Sequence, residues 1–419
     1  MARSHVPASD AAQRQGVRTL PRNVWVVTIT SFLTDVSSEM VLNLLPLFLA
    51  GSLGVKTNVI GLIEGVADTT ASLLKVVSGW LSDRLGSRKG LAVTGYAIST
   101  VSKPFLYLAS TWSGVLAVRF ADRIGKGIRT APRDALIAAT VDARQRGLAF
   151  GLHRAGDTAG AALGLAAALI VVWAAQGEQI DLARGTFQTI VLVSVIPAAL
   201  AVLILALGAH DVPVVEKRPP VRLTVRGIDA RYRLFLVIVA VFSLGNSADA
   251  FLILRANALG LSVVGVLGML ITFNVVYMLI SEPAGALSDR VGRWRLLAGG
   301  WLFYALVYLG FAAADAAWQV WMLYGLYGVY YGMTYGVSKA LVADLVPRSQ
   351  LGTAYGLYDA TVGLMALPAS LIAGILWQGV SRWDGLGPSA PFTFGAGMAL
   401  LAVALLPLVR RGSGADRSR

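Results

Sequence analysis

Twelve apolar runs, each long enough to cross roughly 30 Å of hydrocarbon at about 1.5 Å per helical residue, leave this chain little choice but a helical membrane fold. They lie near 24–50, 59–82, 90–110, 113–140, 147–174, 187–208, 232–256, 262–286, 296–315, 318–343, 351–378 and 390–409. Only 14% of the residues are charged, against about a quarter in soluble domains, so the bilayer is the solvent. The long polar stretch between the sixth and seventh runs is rich in Pro and Arg, among them Pro213, Pro219, Pro220, Arg218, Arg222 and Arg226. The division expected is a polar tail (1–23), a first bundle of six helices (24–208), a linker (209–231), a second bundle of six (232–409) and a short tail (410–419).

The formal charge of +13 is placed between the apolar runs, which speaks for membrane orientation and against a nucleic-acid partner. With the N-terminus in the cytoplasm, about 23 Lys and Arg fall on that side, against about four opposite (Lys56, Arg184, Arg255 and Arg382). Both termini are therefore expected inside, in a bacterial inner membrane. Cysteine is absent and only His5, His153 and His210 are present, which excludes disulfides and thiol nucleophiles and leaves little for a metal site. No cofactor or metal is expected. The polar first residues lack the apolar core of a signal peptide.

Gly79, Leu81, Asp83, Arg84, Gly86 and Arg88 end the second run, and Gly285, Leu287, Asp289, Arg290, Gly292 and Arg293 end the eighth, with the same spacing up to the second glycine and an Arg close behind it in each. The duplication continues elsewhere. Gly147, Phe150, Gly151 and His153 correspond to Gly352, Tyr355, Gly356 and Tyr358, and Ser37 and Glu39 correspond to Ser247 and Asp249. Repeats in the same orientation, six spans apart, predict two bundles related by an axis along the membrane normal, with a solute path between them.

In these loops the chain resembles the major facilitator superfamily, whose signature G-x-L-x-D-R-x-G-R-K it carries twice, with Ser87 where a basic residue is usual. The resemblance covers residues 24–409 and implies that fold: twelve transmembrane helices, all-α, in two pseudo-symmetric six-helix bundles. The glycines allow tight turns, and the Asp can pair with an Arg or a helix N-terminus, latching the bundles in one state. Arg119 and Gly125 in the fourth span, with Gly156, Gly160 and Gly164 in the fifth, partly match the drug and proton antiporter branch. The same glycines also suit plain close packing of helices.

Charged side chains deep in a span are costly and should face a bundle interior or a wet path. Arg119, Asp122, Arg123, Lys126, Arg129 and Arg133 occupy one face of the fourth span about 120° wide, and Glu64, Asp68 and Lys75 fall within about 40° on the second. Counted from the span ends, Asp35, Asp68, Arg123, Lys126 and Asp157 lie near the bilayer middle. Proton coupling is expected from Asp35, Glu39, Asp68 and Asp157, with His153 a further relay candidate. The substrate path is expected to include Arg119, Arg123, Lys126, Asn246, Asp249, Asn274, Tyr327, Tyr331 and Asp359. A closed salt-bridge network holding the first bundle together is the competing account of its charges. Lys103 stands beside Pro104 in the third span, which the resemblance implies is peripheral, and is expected to snorkel or to pair with a neighbouring helix, outside the substrate site. Tyr324, Tyr327, Tyr331 and Tyr335 share a face of the tenth span and suit either an organic solute or ordinary packing.

The expectation is a secondary active transporter that moves a small organic solute by alternating access coupled to protons, and the resemblance implies that it works as a monomer. Export by antiport is the preferred direction, on the antiporter-like residues, and proton-coupled uptake of an organic anion, served by the Arg and Lys cluster, is the alternative. A sensor that keeps the fold but not transport is the other alternative. There is no phosphate-binding G-x-x-x-x-G-K-[ST] loop and no credible nucleophile cluster, so an enzyme is not expected.

Overall fold

The computed structural model describes residues 17–85, 87–142, 145–212, 229–347 and 350–411. Gly86, most of the linker and most of both tails lie outside the described residues. Among the described residues the helices form twelve rods and no strand. These are α1 (Arg22–Ser52), α2 (Thr57–Leu85), α3 (Arg88–Ser102 and Phe105–Leu108), α4 (Trp112–Thr140), α5 (Arg146–Gln176) and α6 (Arg184–Gly208). After the linker come α7 (Ala230–Gly245 and Ala250–Ala258), α8 (Val263–Val291), α9 (Arg293–Ala313), α10 (Ala317–Leu345), α11 (Leu351–Gln378) and α12 (Ala390–Arg411).

Eight rods are long and apolar enough to cross a membrane on composition alone: α1, α5, α6, α7, α8, α9, α11 and α12. The other four are α2 and α4, which carry the charged stripes, α3, which breaks in the middle, and the tyrosine-rich α10. Exposed apolar side chains such as Ile170, Trp173, Ile196 and Leu207 on α5 and α6 point away from the bundle, as lipid-facing residues do.

The packing repeats six rods later. In the first half α1 packs on α5 and α6, α3 on α4 and α6, and α2 on α4. The second half repeats this, with α7 on α11 and α12, α9 on α10 and α12, and α8 on α10. Between halves, α2 lies along α11 and α5 along α8. The α2/α11 seam is tight because it is built on glycine: a Cβ at Gly65 would stand 2.8 Å from the Leu367 Cα, and one at Gly374 would stand 2.6 Å from the Asn58 Cα.

Two rods expected to be continuous are broken. The α3 helix stops at Lys103–Pro104, where proline cannot donate its backbone amide and crowds the preceding turn. The α7 helix unwinds over residues 246–249, and the freed Ala248 amide donates to the Ser370 hydroxyl at 3.2 Å.

Arg255, counted among the loop cations from sequence, is instead 8% exposed. Its guanidinium donates to the Phe311 and Ala314 carbonyls at 3.4 and 2.6 Å, where the carbonyls at the C-terminal end of α9 would otherwise lack donors.

Candidate functional site

The acidic stripe of α2 meets the basic stripe of α4. Arg119 pairs with Glu64, and Arg123 Nη2 lies 3.8 Å from Asp68 Oδ1. Arg129 donates to the Ser99 hydroxyl at 2.9 Å and lies over the Tyr96 ring. Part of the charge cluster is thus a network inside the first half. Part of it also faces open space, because the same stripe lines a chain of three cavities between the halves.

The central cavity, about 410 Å³, is lined from the first half by Asp68, Lys75, Arg123 and Lys126, and from the second by Asn246, Asp249 and Tyr331. The backbone break in α7 puts Asn246 and Asp249 there, the arrangement by which discontinuous helices build midplane sites. A deeper cavity of about 200 Å³ shares Asp68, Arg123, Lys126 and Asp249 with it and adds Asp35, Glu39, Glu64 and Arg119. A third, about 330 Å³, shares Lys75, Asn246 and Tyr331 with the central cavity and adds Trp301, Lys339 and Asp359.

Of the residues expected from sequence, Asp35, Glu39, Asp68, Arg119, Arg123, Lys126, Asn246, Asp249, Tyr331 and Asp359 line these cavities. Tyr327 is fully buried behind the wall, and its hydroxyl donates to Asp249 at 3.1 Å and to Asn246 at 3.4 Å. Asp157 and Asn274 line none of the three. Asn274 returns its amide to the Leu270 carbonyl at 2.9 Å on its own helix. Asp157 stands 3.7 Å from His153 Nε2.

Lys103 is 2% exposed and takes the second of the two courses expected for it, pairing with a neighbouring helix: its ammonium donates to the Ser37 and Ser38 hydroxyls of α1 at 2.6 and 3.1 Å, on the turn that carries Asp35 and Glu39. The signal available was Ser37 and Ser38 flanking the same turn as Asp35 and Glu39. Lys75, named only for its stripe, reaches across to Asp359 at 3.3 Å. The wall formed by Phe242, Trp301, Tyr330 and Tyr358 gives no periodic signal within one span, because its residues come from four rods.

The two ends of the cleft differ. Asn23 donates to the Thr140 hydroxyl and the His210 carbonyl, placing the start of α1 with the ends of α4 and α6. At the opposite end the halves are sewn together. Thr57 donates to Gln378 at 2.7 Å through its amide, Asn58 to the Gly379 carbonyl at 2.9 Å and Asn257 to the Ile180 carbonyl at 2.8 Å. Ser262 donates to Glu178 at 2.6 Å and the Val263 amide to the Gln179 carbonyl at 3.0 Å. Towards the terminal end, polar links between halves are few among the described residues: Thr69 to the Gly363 carbonyl, Lys75 to Asp359 and Arg154 to Tyr277.

The repeated loops sit at that more open end, and each is tied to its own half. Arg293 pairs with Asp289 at 3.7 Å and Asp344 at 2.5 Å, next to Gly292, whose φ of +95° suits glycine. Arg290 and Gly285 are exposed. In the first copy the Arg88 and Lys89 amides donate to Asp211 at 3.1 and 3.3 Å, and Arg84 lies over the Trp80 ring. Gly79 is half-buried, and the Asp83 side chain, like Gly86, lies outside the described residues. The glycines Gly156, Gly160 and Gly164 close onto Thr28, Phe32 and Val36 of α1, which is packing within the first half.

The chain matches the Major Facilitator Superfamily profile over residues 27–367 and 234–419. It is 34% identical over 395 residues to an uncharacterised MFS-type transporter of Methanocaldococcus jannaschii, covering 93% of this chain and 95% of that one. Among solved structures it resembles the POT family transporter PepTSo, with a TM-score of 0.76 at 13% identity, covering 94% of this chain and 98% of that one. It likewise resembles the nucleoside transporter NupG, with a TM-score of 0.74 at 14% identity, covering 93% and 99%.

Proposed function

Because this chain belongs to the major facilitator superfamily, an integral membrane transporter family, we propose that it carries a small organic solute across a bacterial cytoplasmic membrane by alternating access coupled to protons. The halves 24–208 and 232–409 are the moving bodies, all twelve rods span, and both termini face the cytoplasm. The chain works as a monomer, with one cleft per molecule. The observation that carries this reading is a cleft lined by ionisable and aromatic side chains of both halves, sewn shut at one end and sparsely bridged at the other. A rocking motion about the cleft exchanges which end is closed.

Protons are assigned to Asp35 and Glu39, with Asp249 added. None of the three has an ion-pair partner among the described residues, so taking up a proton there breaks no salt bridge. Asp35 lies in the fields of Asp157, Lys126, Glu39 and Arg129. Asp68, with Arg123 beside it, is a gate between proton and guanidinium, and Asp157 with His153 is a second rank behind the cleft. Exchange with protons, the mode of the branch that Arg119, Gly125 and the α5 glycines resemble, requires solute and proton to occupy the cleft in turn. Uptake requires them together.

Reconstituted vesicles holding a pH-sensitive dye test the proposal. A solute that moves protons through the native protein, with a response abolished jointly by Asp35→Asn and Glu39→Gln, supports it. Proton movement that persists in that double variant removes the assignment.

A further inference from the structure

We infer that the solute is an organic anion with a planar apolar body, its anionic group seated on Lys126 and Arg123 and its body against the aromatic wall of Trp301, Tyr330 and Tyr331; this rests on the transporter reading above. Charged side chains of both signs line the central and third cavities. Lys75 is paired with Asp359 at 3.3 Å, Arg123 has Asp68 at 3.8 Å, and Asp249 receives the Tyr327 hydroxyl at 3.1 Å. Two cations remain, Lys126 and Lys339, with no carboxylate within 4.0 Å among the described residues. Lys339 lies 5.1 Å from the Tyr335 ring centre. Lys126 is solvent-exposed in the cleft, lines both the central and the deep cavity, and has no hydrogen bond from its ammonium to any described residue.

Beside it, Arg123 is 8% exposed and its Nε finds no acceptor among the described residues. A guanidinium and an ammonium one turn apart on α4 form a two-point seat for a carboxylate, sulfonate or phosphate oxygen pair. Of the acids without cationic partners, Asp249 borders the central cavity as well, whereas Asp35 and Glu39 line the deep cavity alone, whose lining also includes Asn43, Pro46 and Ile253 from the parts of α1 and α7 nearest the sewn end. The wider part of the cleft therefore favours negative charge, and its blind end takes protons.

The other end of the solute is defined by flat rings. Trp301 stacks on Phe242 with ring centres 4.4 Å apart and planes 9° apart, and both line the third cavity with Tyr330, Tyr331, Tyr335 and Tyr358. Tyr331 belongs to both the central and third cavities, so anion seat and aromatic wall border one continuous space. Central and third cavities of about 410 and 330 Å³ are the size that holds a small organic molecule. A bare inorganic anion would leave the wall unused.

Co-occupancy of the proton follows. The charged groups acting on Lys126 include Arg123 and Arg129 on its own helix, Asp35 on α1 and Asp68 on α2, and Asp249 on α7 shares both of its cavities. An anion placed there repels an ionised Asp35, so anion and proton bind better together than apart, and reciprocally. That is the coupling of uptake rather than exchange.

Three matched probes test the site on the purified full chain: naphthalenesulfonate, its neutral sulfonamide and the naphthylmethylammonium cation. The sulfonate is expected to raise Tm while the other two do not. Lys126→Gln is expected to weaken sulfonate binding at least tenfold with an unchanged ligand-free Tm. Lys126→Arg is expected to retain binding, and Trp301→Ala to weaken it. No response to the sulfonate, equal responses to all three probes, or native affinity in Lys126→Gln would overturn the inference.

In vesicles, sulfonate entry is expected to draw protons in with it, an effect absent from Lys126→Gln. Protons leaving as sulfonate enters would overturn co-occupancy. Binding without flux would uphold the site and sink the transporter reading instead.

Discussion

At the scale of single residues, the buried charges of the first half divide into those that hold the fold and those that face the cleft. Glu64 and Arg119 are 6% and 3% exposed and belong to the first group as a pair. Removing one partner of such a pair strands the other charge in a medium that cannot solvate it, at a cost of about 3 to 5 kcal/mol. Glu64→Gln is therefore expected to lower the melting temperature in detergent sharply, whereas Glu64→Leu combined with Arg119→Met is expected to recover most of it. Equal melting temperatures for the single and double variants would show that the pair is not coupled. Lys103 makes a contrasting case, since its ammonium is held by two serine hydroxyls and its stem packs in the bundle. Lys103→Met keeps the volume, so the protein is expected to fold, and any change is expected in the pH dependence of flux through the neighbouring Asp35 and Glu39.

Elements meet closely only where glycine permits. On the α2/α11 seam a Cβ at Gly374 would stand 2.6 Å from the Asn58 backbone, so Gly374→Val is expected to force the seam apart at the sewn end. The chain has no cysteine, which makes cross-linking unambiguous. Thr57→Cys with Gln378→Cys, replacing a pair whose amide and side-chain oxygen are 2.7 Å apart, is expected to form a disulfide under oxidation and to halt transport reversibly. Adding Gly374→Val is expected to reduce the yield of that disulfide several-fold. An undiminished yield would mean that glycine at this position is not what lets the helices approach.

For the whole molecule, the quantity of interest is the balance between states open at opposite ends. The Lys75–Asp359 pair joins the halves towards the terminal end, and its side chains are 41% and 35% exposed, so water screens it and it is worth at most about 1 kcal/mol. Asp359→Asn is accordingly expected to shift the population between states by no more than about fivefold. Spin-label distances across both mouths would measure this, and the shift should shrink in high salt. The repeated loops, each bonded within its own half here, are expected to gain partners across the halves only when the terminal end closes. Labels near Asp289 on one side and Arg84 on the other would then approach each other.

The sequence alone determined the helical membrane fold, the twofold repeat and which faces of α2 and α4 carry charge. Those features depend on hydrocarbon thickness, helical period and local turn chemistry, which act over one span at a time. Asp35, Arg123, Lys126 and Asp249 were legible as cleft-lining residues because an ionisable group deep in a span has few places to point. Asn274 and Asp157 line none of the three cavities, since a polar side chain can also turn to its own helix, as Asn274 does to the Leu270 carbonyl and Asp157 does to His153. Which charges pair, how α7 unwinds at Asn246, and how Trp301 joins Tyr331 across rods were decided only by tertiary structure. They depend on distances between helices far apart in sequence, and a pattern along the chain carries no record of those distances.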